Sequence, residues 1–180
     1  MNLTPVMQKF ILHWGEMGCR WGVTRAVAQT HALLMLSPQP LPADEIAETL
    51  GVARSNVSTS LKELQGWGLA RIVHVFGDRR EHFATLDDVW EMFQVILRER
   101  KKRELDPTLA TLRACAAEVA ADTGGSKTDK AAAAHFAARL TGLTEFIELT
   151  SSWAERGQAL APKHAQRLFQ LGDKIFRLVG

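Results

Sequence analysis

The stretch that decides the fold is GVARSNVSTSLKELQGWGLA, Gly51 to Ala70. Val57, Leu61 and Leu64 recur at the spacing of one helical face. Yet the first half reads Arg54, Ser55, Asn56, then Ser58, Thr59 and Ser60, and most of these types prefer caps and turns to helix interiors. With Val57, Leu61 and Leu64 turned inward, a helical wheel points Ser55, Thr59, Lys62 and Gly66 away, with Asn56 and Ser58 on the flanks. An ordinary solvated face favours Glu, Lys and Gln. Short hydroxyl and amide side chains instead let a helix lie deep in a DNA major groove. There they bond to base edges or phosphates at little entropic cost. Arg54 stands at the N-terminal tip, where backbone N–H groups also favour phosphate.

The flanks of this stretch complete a pattern. Ala43 to Leu50 predicts a short helix with Asp44 and Glu45 near its positive end. Gly51 suits the positive-φ turn that follows, and Ala47 is small where two helices must approach. Ile46, Leu50, Val52, Val57 and Leu61 supply the buried positions of a helix-turn-helix. After Gly68 the period changes to two: LARIVHV alternates, FGDRR is a turn, and EHFAT returns as a second strand. The hairpin tip offers Arg79 and Arg80. One suits the negative potential of a minor groove, and the other can pair with Asp78 and hold the wing in shape. From Gly51 to Thr85 five basic residues face three acidic ones. So small an excess implies that affinity depends on a dimer presenting two modules.

Thr4 and Pro5 read as a cap and first-turn proline for a helix to about Arg20, with Phe10, Trp14 and Met17 on one side. A second helix, from about Thr24 to Leu36, carries Val27 and Leu34 and ends at SPQPLP. From Leu86 the helical period resumes as a stripe of Leu86, Val89, Trp90, Phe93, Ile96 and Leu97. It ends in RERKKRE, residues 98–104, read as a solvated basic helix cap. Asp106-Pro107 then reads as the opening of a helix lined by Leu109, Leu112 and Val119. DTGGSK breaks the second half. An Ala-rich helix with Phe136, Leu140, Leu143 and Ile147 follows, and a last helix from about Pro162 carries Leu168, Leu171, Ile175 and Leu178. The expectation is a mainly α protein with a small β-hairpin wing. Residues 1–85 form the N-terminal helices and winged helix-turn-helix, and residues 86–180 a helical extension for dimerisation and effector binding.

The run PLPADEIAETLGVARSNVSTSLKELQGWGLARIVHVFGDRREHF resembles the GbsR branch of the MarR-like winged-helix transcriptional regulators. The likeness is closest from about Thr24 to Phe93, with RSNVSTSL, GWGL and GDRRE its most specific pieces. The resemblance implies a homodimeric, sequence-specific regulator of transcription, a repressor, on a pseudo-palindromic operator in double-stranded DNA. Its N- and C-terminal helices would be used for dimerisation. It assigns Arg54, Ser55, Asn56, Ser58, Thr59 and Lys62 to the recognition helix, and Arg79 and Arg80 to the wing. Relatives often carry Ser where this chain has Ala53, so the recognition helix lacks a side-chain cap worth roughly 1 kcal/mol.

The branch includes choline and glycine-betaine sensors, and quaternary ammonium groups favour aromatic cages. Trp14, Trp21 and Trp90 are the candidates for such an effector site, although the apolar stripes holding Trp14 and Trp90 favour plain packing. Cys19 and Cys115 lie far apart with no activating cluster in sequence, and the six histidines lack ligand spacing. No metal site, cofactor or catalytic constellation is therefore expected, and no enzyme. A metal- or redox-gated regulator and a winged-helix protein-interaction module are the alternatives. The latter would need a hydrophobic outward face on the helix quoted above. The apolar run Phe10-Ile11-Leu12, flanked by Lys9 and Glu16, is neither a signal core nor a membrane span. A cytoplasmic location is expected, with no membrane partner.

Overall fold

The computed structural model describes residues 1–121 and 127–158, with isolated positions beyond. The helix expected from about Pro162 lies largely outside the described residues. The chain divides into two compact units, Met1–Val95 and Ile96–Gly180.

The first unit begins with α1 (Pro5–Arg20), whose Thr4 side chain accepts the Met7 N–H as a cap. Its buried face is Ile11, Gly15 and Gly18. Phe10, Trp14 and Met17, expected on one side, are half-buried along the rim of that face. Helix α2 (Arg25–Leu36), capped by Thr24, is the centre of the unit and buries seven of its residues, Leu33 and Ala32 completely. Strand β1 (Leu41–Pro42) leads into α3 (Ala43–Leu50). Gly51, at φ 65°, turns the chain in the left-handed region, and the Val52 N–H donates to the Ala47 carbonyl. Helix α4 (Arg54–Trp67) follows after two residues. The core joins Ile46 of α3, Val57, Leu61 and Leu64 of α4, and Val27 and Leu33 of α2.

Strands β2 (Ala70–Val73) and β3 (His82–Thr85) form the hairpin, with Val73 opposite His82 and Ala70 opposite Thr85. β1 pairs with the other edge of β3, giving the sheet order β1-β3-β2. This third strand was not expected, because two residues are too short to show a period. The expected strand LARIVHV shortens to Ala70–Val73, and the turn grows accordingly.

Helix α5 (Val89–Arg100) starts three residues later than the stripe beginning at Leu86 predicts, because Asp88 accepts the Trp90 N–H at 2.7 Å and places the start there. It buries Met92 and Val95, while Val89 is 64% exposed. Apolar residues cover a broad arc of this helix: Trp90, Ile96 and Leu97 of the expected stripe are half-buried, and the buried pair lies at its edge.

In the second unit, the expected helix opening at Asp106-Pro107 is replaced by continuous helix. A π-helical turn, Lys101–Leu105, runs into α6 (Asp106–Ala121), and Asp106 itself has helical φ −62° and ψ −45°. Pro107 has no N–H to donate and its ring crowds the carbonyl four residues back. A wide turn just before it relieves both problems. The charged run is therefore not a solvated cap at a helix end. Lys101 lies 2.6 Å from Asp106 and 3.0 Å from Glu155, with its side chain only 16% exposed. Hydrogen bonds that it donates to these two carboxylates, Asp106 first, hold its ammonium above the usual lysine range. Helix α7 (Lys127–Gln158) packs on α6, whose half-buried Leu109, Leu112 and Val119 match expectation. Leu140 and Ser151 of α7 are buried, while Phe136, Leu143, Phe146, Leu149 and Trp153 are half or more exposed.

Candidate nucleic-acid interface

Helix α4 presents two chemically distinct faces. Val57, Ser60, Leu61 and Leu64 are buried, and the Ser60 hydroxyl donates to the Asn56 carbonyl at 2.8 Å, which satisfies it in place. The opposite face exposes Arg54, Ser55, Asn56, Thr59 and Lys62, with Ser58 half-buried. The Thr59 hydroxyl donates to the Ser55 carbonyl at 3.0 Å, so its oxygen remains an acceptor. The Ser55, Asn56, Ser58 and Lys62 side chains make no hydrogen bond or ion pair among the described residues. They are free to bond elsewhere.

The start of α4 shows the weak cap expected there. Ala53 supplies no side-chain acceptor, and only its carbonyl receives the Asn56 and Val57 N–H groups, at 3.0 and 3.3 Å. Arg54 Nε reaches instead to Asp44 Oδ1 at 2.6 Å, linking α4 to the first turn of α3. Both side chains are more than half exposed, so water screens the pair and it contributes about 0–1 kcal/mol. A phosphate can displace such a partner at low cost.

The wing separates its two arginines. Arg80 is tied to Asp78: its backbone N–H and Nε donate to Oδ1 at 2.9 and 3.1 Å, and Nη2 donates to Oδ2 at 2.6 Å. Glu45 of α3 stands 3.9 Å from the same guanidinium. These hydrogen bonds from Arg80 push the Asp78 carboxyl down to about 2, and the same carboxylate raises the Arg80 guanidinium. His82 Nδ1 bonds to the Arg80 carbonyl at 2.9 Å, closing the base of the turn. Arg79 is exposed and makes no ion pair among the described residues. The geometry thus makes Arg80 the residue that holds the wing in shape and leaves Arg79 facing solvent.

An open cleft of about 290 Å³ joins these parts. Arg54, Ser58, Lys62 and Gln65 of α4 form one wall, with Pro42 to Asp44 and the wing residues Arg80 and Glu81 opposite. Gln65, Asp44 and Glu45 were missed by sequence reasoning. Gln65 sits one turn beyond Leu61 on the flank of α4, and its spacing from Ser58 and Lys62 was the available signal.

A buried hydrogen-bond chain anchors the base of the wing. His31 Nε2 lies 3.2 Å from the Thr85 hydroxyl, which itself donates to the Leu69 carbonyl at 2.7 Å. With that proton committed, Nε2–H must be the donor. Burial pushes His31 down to about 4.

The three candidate effector tryptophans lie at separate places in the sequence of elements. The Trp14 ring stacks on Phe10 at 5.5 Å and stands 6.4 Å from His31. Trp21 follows α1 and is 44% exposed. Trp90 meets Phe93 edge-on at 6.3 Å. Among the described residues, no three His, Cys, Asp or Glu side chains cluster as a metal would need, and no helix is long and apolar enough to cross a membrane.

A central buried helix, a helix-turn-helix with an uncommitted polar outward face, and an arginine-tipped hairpin define a winged helix-turn-helix protein. Residues 21–81, which hold α2, the helix-turn-helix and the hairpin as far as its turn, match the MarR family model. A solved structure described as that of a transcriptional regulator aligns over 90% of this chain and 99% of its own, with TM-score 0.65 and 15% identity. That is a likeness of fold alone. A mutant of S. aureus MepR bound to an oligodeoxyribonucleotide aligns over 77% of this chain and 90% of its own, at 17% identity and TM-score 0.37. A mutant of Lactococcus lactis ZitR aligns over 66% and 73%, at 21% identity and TM-score 0.33. A search of curated proteins returns no match.

Proposed function

We propose that this chain is a sequence-specific, DNA-binding regulator of transcription, of the GbsR branch, and not an enzyme. The observation that carries the reading is the outward face of α4, where the side chains of Ser55, Asn56, Ser58 and Lys62 have no partner among the described residues. In the major groove these groups bond to base edges, with the Thr59 oxygen accepting. Arg54 exchanges Asp44 for a phosphate, and Arg79 enters the adjacent minor groove.

The reading includes a homodimer acting as a repressor on a pseudo-palindromic operator. The exposed residues Leu143, Phe146 and Trp153 of α7 support it, because they recur at three- and seven-residue spacings along one face of the helix. Two half-sites roughly 34–36 Å apart must be met together, so an effector that alters the separation of two α4 helices releases the operator. A quaternary amine received by Trp14, Trp21 and Trp90 is the effector proposed, and thermal-shift screening of choline and betaine tests it.

The test of DNA reading is selection of duplexes from a random-sequence pool by the full chain, followed by titration of Thr59→Ala with Lys62→Ala. A consensus with two-fold symmetry, and a loss of affinity larger on the consensus than on random DNA, is expected. Equal losses on both would reduce these residues to phosphate contacts, and failure to enrich any sequence would overturn the reading.

A further inference from the structure

Phe76, at the tip of the wing, has no role in holding the fold. It is wholly exposed, with a relative accessibility of 106%. An aromatic ring standing in water forgoes the full benefit of burial. The local backbone nonetheless holds it in a defined place. The Asp78 N–H donates to the Val75 carbonyl at 3.1 Å, closing a four-residue turn over Val75, Phe76, Gly77 and Asp78. Gly77 has φ 85°, and no non-glycine residue among the described ones has positive φ. The turn is therefore type II, with Phe76 at its first corner and Gly77 at the second. Its far end is clamped, because the Asp78 carboxylate holds the backbone and side chain of Arg80. Arg79, unpaired among the described residues, leaves the turn one residue beyond Asp78. The apex thus combines an exposed ring on an ordered turn and a free guanidinium.

The geometry points to Phe76 as a wedge that enters the DNA minor groove together with Arg79 and partly unstacks one base step. This inference rests on the DNA-reading function proposed above. Apolar side chains of proteins that bind the minor groove can insert between base pairs and kink the duplex. The ring gains stacking on the exposed base faces, while Arg79 is held by the negative potential of the groove. Because the backbone of the turn is already hydrogen-bonded, insertion has only the ring's own rotamer left to fix. The cost of unstacking depends on sequence and is lowest at flexible pyrimidine–purine steps. Phe76 therefore confers specificity at a position that no side chain reads by hydrogen bonding.

The test uses the full chain and a duplex it selects from a random pool, with 2-aminopurine placed at successive steps. The wild-type protein is expected to raise fluorescence at one step under the wing. Phe76→Ala should abolish that rise and weaken binding about tenfold. Its thermal unfolding should not change, since the ring contributes nothing to the folded chain's packing. Phe76→Leu should keep most of both signals, because leucine is also a competent wedge. Unchanged affinity and fluorescence in Phe76→Ala, while Arg79→Ala weakens binding, would overturn the wedge and leave DNA reading intact. A change in sedimentation on losing the ring would overturn it too, by making the apex a contact between copies. If the wild-type chain selects no duplex, the underlying reading falls and the wedge falls with it.

Discussion

Acid should destabilise the folded chain through His31, because protonation places a charge in a buried site. The imidazole is 4% exposed on α2, and it donates to Thr85, whose hydroxyl holds the Leu69 carbonyl. Burial lowers its pKa from 6.5 to about 4. The unfolded chain takes up the proton near the higher value, and the folded chain does so only near the lower one. Between the two, the unfolded state binds more protons, so stability falls as pH falls. The contribution is complete above about pH 6.5 and is lost progressively towards about pH 4. At about 1.4 kcal/mol per pH unit the whole interval is worth about 3 kcal/mol, of which about 2.5 is lost by about pH 4.5. Urea unfolding of the wild type and His31→Gln, compared between about pH 7.5 and 4.5, reads this directly. The glutamine side chain in the variant carries its own cost, but that cost does not vary with pH. The wild-type curve should therefore fall towards the variant's by about 2.5 kcal/mol. Asp78, held down to about 2, titrates below this window and does so in both proteins. Parallel curves would refute the reasoning, as would an imidazole proton resonance of His31 that titrates near its ordinary value.

Ala53→Ser restores a side-chain acceptor at the start of α4 and should raise stability by about 1 kcal/mol in the same urea assay. No gain would mean that the free N–H groups there are already satisfied. Leu143→Glu or Phe146→Glu, both on the exposed face of α7, should weaken a homodimer tenfold or more, seen as monomer in sedimentation at micromolar concentration. A dimer of unchanged strength would place the interface on another surface.

What was legible in the sequence was local. Thr4 with Pro5, Thr24, and Gly51 each act within a turn of their own position, so the bounds of α1, α2 and α3 could be read almost to the residue. The two faces of α4 were legible for a related reason. Its inward positions are apolar and its outward ones are not, so a single period separates them. Helix α5 lacks that contrast. Its apolar residues spread over more than half the circumference, leaving only the narrow polar side of Glu91, Gln94 and Arg98, and packing selects Met92 and Val95 from that broad arc. The π-helical turn at Lys101–Leu105 was hidden because Asp-Pro carries the same local signal whether it opens a helix or interrupts one. The partners of charged groups were hidden more deeply. Arg54 meets Asp44 and Arg80 meets Glu45 only because α3 lies against α4 and the sheet, at separations that no helical or strand period encodes. Those acids decide which basic groups are free to meet a phosphate. Arg79 and Lys62 are free, Arg54 must exchange a partner, and Arg80 is committed to the wing. Four cations of one formal charge are thus sorted into three roles, and the sorting is a property of the fold.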